Sequence, residues 1–237
     1  MSERPRAMFI VSVDCATLPT KTGLALATYE NGTLTVRECR IAGRRIPMAN
    51  QIHAWIKAVS RAPIALDSPL GWPVALAENL ARHHAGAPSQ GTAGSRRRPN
   101  CPHRTAVAAL SLLENLSRLI GTKVPLAWQP WRGNGVRAIE VYPAGTLRSS
   151  ERTAKTATGG ETTERKRDLL RTLEAGGRIR FTRGLTKALA NEHVLDSVIC
   201  TVAAVDLLER RVIQPTTAAE KARSRKEGWI YVRDPSR

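Results

Sequence analysis

The chain has 237 residues, 42% of them hydrophobic, enough for a packed core, and no apolar run reaches the roughly 20 residues of a membrane-spanning helix. Lys and Arg number 37 against 20 Asp and Glu, a formal net charge of +17, which favours polyanionic partners through counterion release; free use of Arg by a high-GC genome is the bland alternative. The four cysteines, at 15, 39, 101 and 200, form no CxxC pair, which argues against a zinc ribbon or a redox motif and fits reduced thiols in a cytoplasmic protein.

In chain order, Met8–Asp14 reads as a strand, not a secretion signal, because its apolar residues end in an acid. Thr22–Tyr29 is a second strand, and Asn31-Gly32 predicts a two-residue hairpin into a third, Thr33–Ile41, whose alternation through Leu34, Val36, Cys39 and Ile41 is imperfect. A helix follows through Ile52, Trp55, Ile56 and Val59. Pro63–Asp67 is short and apolar, as a buried parallel strand is, and Pro73 opens a further helix to about Arg82. Residues 83–103 carry no periodicity; their Arg96-Arg97-Arg98 run either grips phosphates or is a solvated flexible loop. A helix from about Thr105 to Ile120 presents Leu110, Leu113, Leu116 and Leu119, and residues 104–135 form a helical insert before the strand Val136–Tyr142. Residues 148–161, polar and poor in large apolar groups, read as mobile. Thr162–Ala175 reads as a basic helix, Arg178–Phe181 as extended, and Leu185–Glu209 as the best helix of the chain. The tail, 210–237, has a Pro215 stop, a charged stretch to Glu227 and a small apolar close. Three meander strands followed by strands reached over helices predict a mixed α/β sheet with helices on its faces, in a single domain spanning 1–237.

Acids at the ends of buried strands carry the chemistry. The first and fourth strands can lie parallel, which sets Asp14 and Asp67 together at one end of the sheet, where α/β folds keep their sites. Either alone is more often a cap or a turn former. His193 and Asp196, three apart on a helix, share a face and can complete a metal site or supply an acid–base group. Glu140 either belongs to the site or holds Arg104 in a salt bridge. Converging carboxylates suit Mg²⁺ or Mn²⁺.

The order of elements resembles the ribonuclease H-like fold in its RuvC-like branch, which places an Asp on the first strand, an acid on the fourth and a His-x-x-Asp or Asp-x-x-Asp pair on the last helix, as Asp14, Asp67, His193 and Asp196 stand here. More closely, the chain resembles the predicted-nuclease family called domain of unknown function 429, through Val13-Asp14-Cys15-Ala16, Ala65-Leu66-Asp67-Ser68-Pro69-Leu70-Gly71, the segment from Ile139-Glu140 to Leu147, that from Leu195-Asp196 to Ala204, and Glu227–Val232. The resemblance implies a ribonuclease H-like mixed five-stranded sheet flanked by helices, with the insert between the fourth and fifth strands, and a nuclease site without a named substrate. One departure stands out: the family often carries Arg-x-Thr-Asp in the insert helix, where this chain has His103-Arg104-Thr105-Ala106.

These readings predict a divalent-metal-dependent nuclease acting on DNA or RNA. Asp14 would bridge two cations, Asp67 and Asp196 would each complete a shell, and Glu140 or His193 would assist catalysis. Arg96, Arg97, Arg98 and Arg104, with Arg165, Lys166 and Arg167, would neutralise backbone phosphates, and an aromatic content of 4% argues against base stacking. A catalytically silent nucleic-acid-binding or partner-binding protein is the competing class, permitted by Ala106. An actin-like phosphotransferase is a weaker one: Asp14-x-x-Thr17 with Thr22-Gly23 is similar to its first phosphate loop, but the second such loop is missing and no GxxxxGK[ST] occurs.

Overall fold

The computed structural model describes residues 7–71, 102–127, 134–154, 162–182, 189–234 and 236, with the side chains of 102–104, 151–154, 162, 226 and 227 left aside. The elements are β1 (Met8–Asp14), a 3₁₀ turn (Pro19–Lys21), β2 (Gly23–Glu30), β3 (Thr33–Ile41), α1 (Met48–Ile56), β4 (Arg61–Asp67), α2 (Pro102–Ile120), β5 (Gly135–Glu140), α3 (Pro143–Ala154), α4 (Thr162–Ala175), β6 (Ile179–Phe181), α5 (Glu192–Leu208) and α6 (Ala218–Glu227).

They build one sheet in the order β5-β4-β1-β2-β3-β6. Only β2 runs against its neighbours; β4 is parallel to β1, β5 to β4 and β6 to β3. The first five strands have the order and directions of the ribonuclease H-like fold, with α2 inserted between β4 and β5. A sixth strand extends the five expected: the extended piece near 178–181 pairs with Leu34, Thr35 and Val36.

Local chemistry sets the meander. Asn31 and Gly32 both take positive φ (50° and 78°), the conformation a two-residue hairpin requires. The broken alternation of β3 has a structural cause. The register slips between Leu26↔Glu38 and Ala27↔Val36, leaving Arg37 unopposed in a β-bulge. The extra residue returns Cys39 and Ile41 to the face already held by Leu34 and Val36.

The sheet separates two cores. On one face Ile10, Ala25, Ala27, Leu34, Val36, Ala65 and Ile139 pack against α5, Leu170 and Leu173 of α4, and Tyr231 of the tail. On the other, Val11, Val13, Leu24, Leu26, Ile64, Leu66 and Ala138 pack against Ile52 and Ile56 of α1 and Ala109, Leu112 and Leu116 of α2. α5 is buried over nearly all its length, as a helix that is apolar around its circumference must be. Truncating the fully buried Leu195 to Ala would cost roughly 2–5 kcal/mol.

Three expectations change. The stretch read as mobile from 148 begins inside α3, which starts with Pro143 in its first turn and buries Thr146, Leu147, Ser149 and Ser150. Small residues there replace the large apolar ones that periodicity detects. The charged stretch before Glu227 is α6, begun by a capping box between Thr217 and Glu220. α5 begins at Glu192 instead of Leu185, because the Asn191 side chain accepts from the amides of His193 and Val194 and sets the boundary there. The expected helix from Pro73 to Arg82 and almost all of the expected basic loop lie outside the described residues.

Candidate active site

Asp14 and Asp67 are register partners at the ends of β1 and β4. Directly paired residues of neighbouring strands project to one face, and here that face lies under the start of α5. Two features bring α5 so close. Gly23, the partner of Asp14 across β1 and β2, has no side chain, and a Cβ there would fall 1.8 Å from the carbonyl oxygen of His193. Ser12, two residues before Asp14, donates its hydroxyl to the Ser197 carbonyl at 2.6 Å. The first turns of α5 thus deliver His193 and Asp196 to the strand ends.

His193 Nδ1 lies 2.8 Å from Asp14 Oδ2. Asp196 is paired with the Lys166 ammonium, which reaches in from α4. Lys166 and Asp196 side chains are 12% and 19% exposed, so this ion pair is largely shielded from water. Burial pushes the Asp14 carboxyl up to about 6, against the His193 hydrogen bond that lowers it; the Asp196 charge adds to the rise, and His193 and Lys166 charges oppose it. Asp67 rises to about 7, first from burial and then from the Asp14 and Asp196 charges, with Lys166 again opposing. Asp196 is also raised by burial, with Lys166 pulling the other way. Cys15 and Cys200 stay thiols, raised by burial and by the Asp67 and Asp14 charges.

Three carboxylates raised by burial, with Asp196 also raising Asp14 and both of them raising Asp67, want positive charge. Their donor atoms are all oxygens, the set that hard divalent cations take. Lys166 is a stand-in cation already drawn to them. Among the described residues no three His, Cys, Asp or Glu side chains are closed into a metal-ligating cluster. The donor set fits a hard cation, while Asp196 is turned to Lys166 and Asp14 to His193.

The site thus unites four of the expected residues: Asp14, Asp67, His193 and Asp196. Glu140 is not among them. It pairs with Leu66, which packs on the α1 and α2 face, so its side chain leaves the sheet on the side away from Asp67. There it accepts from the Leu70 amide at 3.3 Å, and Gly228 packs so tightly that a Cβ would lie 2.3 Å from Glu140 Oε2. Burial pushes Glu140 up to about 7. Arg96, Arg97 and Arg98 lie outside the described residues, and only the backbone of Arg104, in the first turn of α2, is described. Arg167 donates to Glu164 at 3.0 Å and to the Ala190 carbonyl at 3.3 Å, so it braces α4 against the approach to α5; Arg165 is engaged as well. Ala106 is buried in α2. The sequence reading misses the roles of Gly23 and Lys166 at the site. Gly23 follows an exposed turn and carries no chemistry; Lys166, four and seven residues before the buried Leu170 and Leu173, shares their face by helical spacing, and that is the signal that could have found it.

The family model described as protein of unknown function (DUF429) matches residues 13–219. No curated protein matches the chain. Among solved structures, the human cytomegalovirus terminase nuclease domain, Mn-soaked and inhibitor-bound, is similar over 86% of each chain at 10% identity and a TM-score of 0.43. The same Mn-soaked domain without mention of inhibitor covers 85% of this chain and 84% of its own, at 10% identity and a TM-score of 0.42. Similarity at that level carries no argument about chemistry.

Proposed function

We propose, for a chain that belongs to the DUF429 family of proteins of unknown function, that it hydrolyses nucleic-acid phosphodiester bonds with a hard divalent cation, Mg²⁺ or Mn²⁺. The observation that supports this most is the meeting of Asp14, Asp67 and Asp196, from three separate elements, with a lysine ammonium seated on one of them. Uncompensated buried carboxylates are costly, and a fold that keeps three together uses them or holds something with them.

Asp14, Asp67 and Asp196 are the residues that would hold the cation. When bound, it would supply Lewis-acid polarisation of the phosphoryl oxygen and a more acidic water. His193 orients Asp14 through Nδ1 and leaves its other ring nitrogen to exchange protons with water at the site. In the reaction the water oxygen would bond to phosphorus as the bond from phosphorus to the leaving ester oxygen breaks; one water proton would pass to a carboxylate or His193, and the leaving oxygen would take a proton from solvent to become the alcohol. We take Glu140 as a support of the 68–71 turn and the tail, outside the cation set. The net charge of +17 and the low aromatic content favour contacts to phosphates over base stacking. A cytoplasmic setting goes with this reading: Cys15, Cys39 and Cys200 are unpaired, and among the described residues no helix is long and apolar enough to cross a membrane.

A second reading, binding without cleavage, rests on Ala106, which stands where the resemblance places an Asp. The test is cleavage of labelled single-stranded, duplex and branched DNA and RNA with Mg²⁺, Mn²⁺ or EDTA, beside Asp14→Asn and Ala106→Asp. Cutting that needs the cation and vanishes in Asp14→Asn supports hydrolysis. Binding with no cutting by any variant favours the silent protein and sinks the enzyme.

A further inference from the structure

The loop between β3 and α1 carries Arg44 and Arg45, which take no part in the carboxylate site. Both are exposed. Among the described residues neither has an ion-pair partner, whereas nearby Arg40 is held by Glu38 at 3.2 Å and lies over the Trp55 ring. The two arginines line a cavity of about 410 Å³ with Gly43, Met48 and Gln51. A second cavity of about 290 Å³ shares Gly43 and Met48 and runs on to Thr17, Thr22, Ser111 and Asn115. Among the described residues neither wall contains an Asp or Glu. Together they form a groove with a guanidinium pair at one end and the Thr17 and Ser111 hydroxyls and the Asn115 amide at the other; Thr22 is buried and donates its hydroxyl to Leu18.

The groove opens at the end of the sheet that carries the acids, on the α1 and α2 face, opposite the face to which Asp14 and Asp67 project. Ile41 pairs with Gly23, and Gly23 pairs with Asp14, so the chain leaves β3 at the same end of the sheet as the acids. Two strand spacings, about 10 Å, separate Asp14 from the end of β3. Charges on one nucleic-acid strand recur about every 3.4 Å along a duplex axis, so a strand lying across this end of the sheet presents several phosphates along its way. Guanidinium is the group best suited to hold them, by paired N–H donors, and hydroxyls and amides suit the sugars between.

We propose that the groove running from Thr17, Ser111 and Asn115 to Arg44 and Arg45 is a nucleic-acid-binding track, with the two arginines on backbone phosphates of a strand that crosses the carboxylate end of the sheet. The proposal rests on the nuclease reading for what happens at the acids, but binding in the groove is measurable without it. It predicts little sequence preference, since its contacts reach phosphates and sugars.

The experiment is fluorescence anisotropy of labelled single-stranded DNA, duplex DNA and RNA in EDTA, over a salt series. It compares wild type with Arg44→Glu/Arg45→Glu, the milder Arg44→Gln/Arg45→Gln, and a control with the same charge change on α6, Arg223→Glu/Arg225→Glu, with melting curves confirming folding. The groove variants should bind at least tenfold more weakly than the control. The glutamine pair should also flatten the plot of log K against log salt by about 1.8 for duplex or about 1.4 for single strands, as follows when two phosphates are no longer neutralised. Equal weakening by the groove and control variants would show mere net charge and overturn the track. Groove-dependent binding with no cleavage in Mn²⁺ would remove the nuclease reading and leave the track standing. Cleavage of full strength in Arg44→Glu/Arg45→Glu would remove the track and leave the nuclease.

Discussion

The two ends of α5 hold buried acids in opposite company. At the N-terminal end Asp14, Asp67 and Asp196 meet one lysine and one histidine. At the C-terminal end Asp206, 1% exposed, has Arg233 at 4.0 Å and the Arg178 and Arg211 charges nearby, while Glu209 takes Arg211 at 2.7 Å and the Tyr29 hydroxyl. The second cluster has its charge balanced by arginines and ties down the tail: the Arg211 amide donates to the Asp206 carbonyl at 2.8 Å, and Val212 bridges to Arg233. It is a latch. The first has more negative charge than its neighbours neutralise and opens toward water. Buried carboxylates alone therefore do not mark a site; the imbalance does.

Exchanging one acid for its amide at each end puts that contrast to its largest test. Asp196→Asn should lower cleavage by more than the roughly 10–100-fold typical of groups that merely support a metal ligand, and should leave the melting temperature equal or higher because a repulsion is relieved. Asp206→Asn should keep most of the cleavage rate, with a melting temperature near neutral pH no lower than wild type, because burial already disfavours the Asp206 charge. Rates and denaturant melts on the pair decide it. If Asp206→Asn also abolished cleavage in a folded protein, the division between latch and site would fail.

Gly23→Ala comes next. The new methyl group would fall 1.8 Å from the His193 carbonyl oxygen, so α5 must lift at its first turn. Overpacking of this kind costs about 1–3 kcal/mol or more, and the lift parts His193 from Asp14. Loss of stability and cleavage together is expected, with the C-terminal latch unaffected; an unchanged melt would show that α5 does not press on β2.

The sequence made the strand ends and the His193 and Asp196 pair of α5 legible and left Gly23, Lys166 and α3 unread, for physical reasons. Asn31-Gly32 specifies its turn by backbone sterics alone. Asp14 and Asp67 follow from a parallel pairing of two apolar runs, and the skipped alternation between Val36 and Cys39 was the bulge seen from outside. α3 escaped because it packs through Thr146, Ser149 and Ser150, which carry no apolar period. Glu140 read as either a site residue or the partner of Arg104; pairing with Leu66 instead of Asp67 turns it to the opposite face, a one-residue register difference invisible in composition. Lys166 shares the face of Leu170 and Leu173 by helical spacing, but its pairing with Asp196 depends on how α4 sits against α5, a property of the packed molecule.

Acidity separates the two ends more gently. Asp14 and Asp67 are raised to about 6 and about 7, above their unfolded value of 3.8, so the folded chain binds more protons between these limits. Stability without cations should therefore fall as pH rises from about 4 to about 7, the reverse of an ordinary salt-bridged carboxylate. Asp206, raised to about 6, contributes in the same direction. Saturating Mg²⁺ or Mn²⁺ should flatten the part owed to Asp14 and Asp67 and leave the Asp206 part, which Asp206→Asn alone removes. Melting curves from pH 4 to 8, with EDTA and with Mg²⁺, check this; a slope untouched by the cation would mean that it does not bind at these acids.

The smallest effect expected is at Lys166, and it tests what the first cluster lacks. The ammonium sits on Asp196 and lowers the pKa of all three carboxyls. A divalent cation must share Asp196 with it or displace it. Lys166→Met should raise affinity for Mn²⁺ by about tenfold, since a charge pair near 4 Å is worth about 1–4 kcal/mol across the effective dielectrics of water and a protein surface. The same change should destabilise the cation-free protein, so the gain in melting temperature on adding Mn²⁺ should exceed that of wild type. Titration calorimetry gives the first quantity and melting the second. At the other end of α5, where arginines already balance the acids, Arg233→Met should leave Mn²⁺ affinity unchanged while lowering stability. If both variants bound Mn²⁺ alike, the charge imbalance between the two ends would have no chemical consequence, and Lys166 would be only another brace of α4.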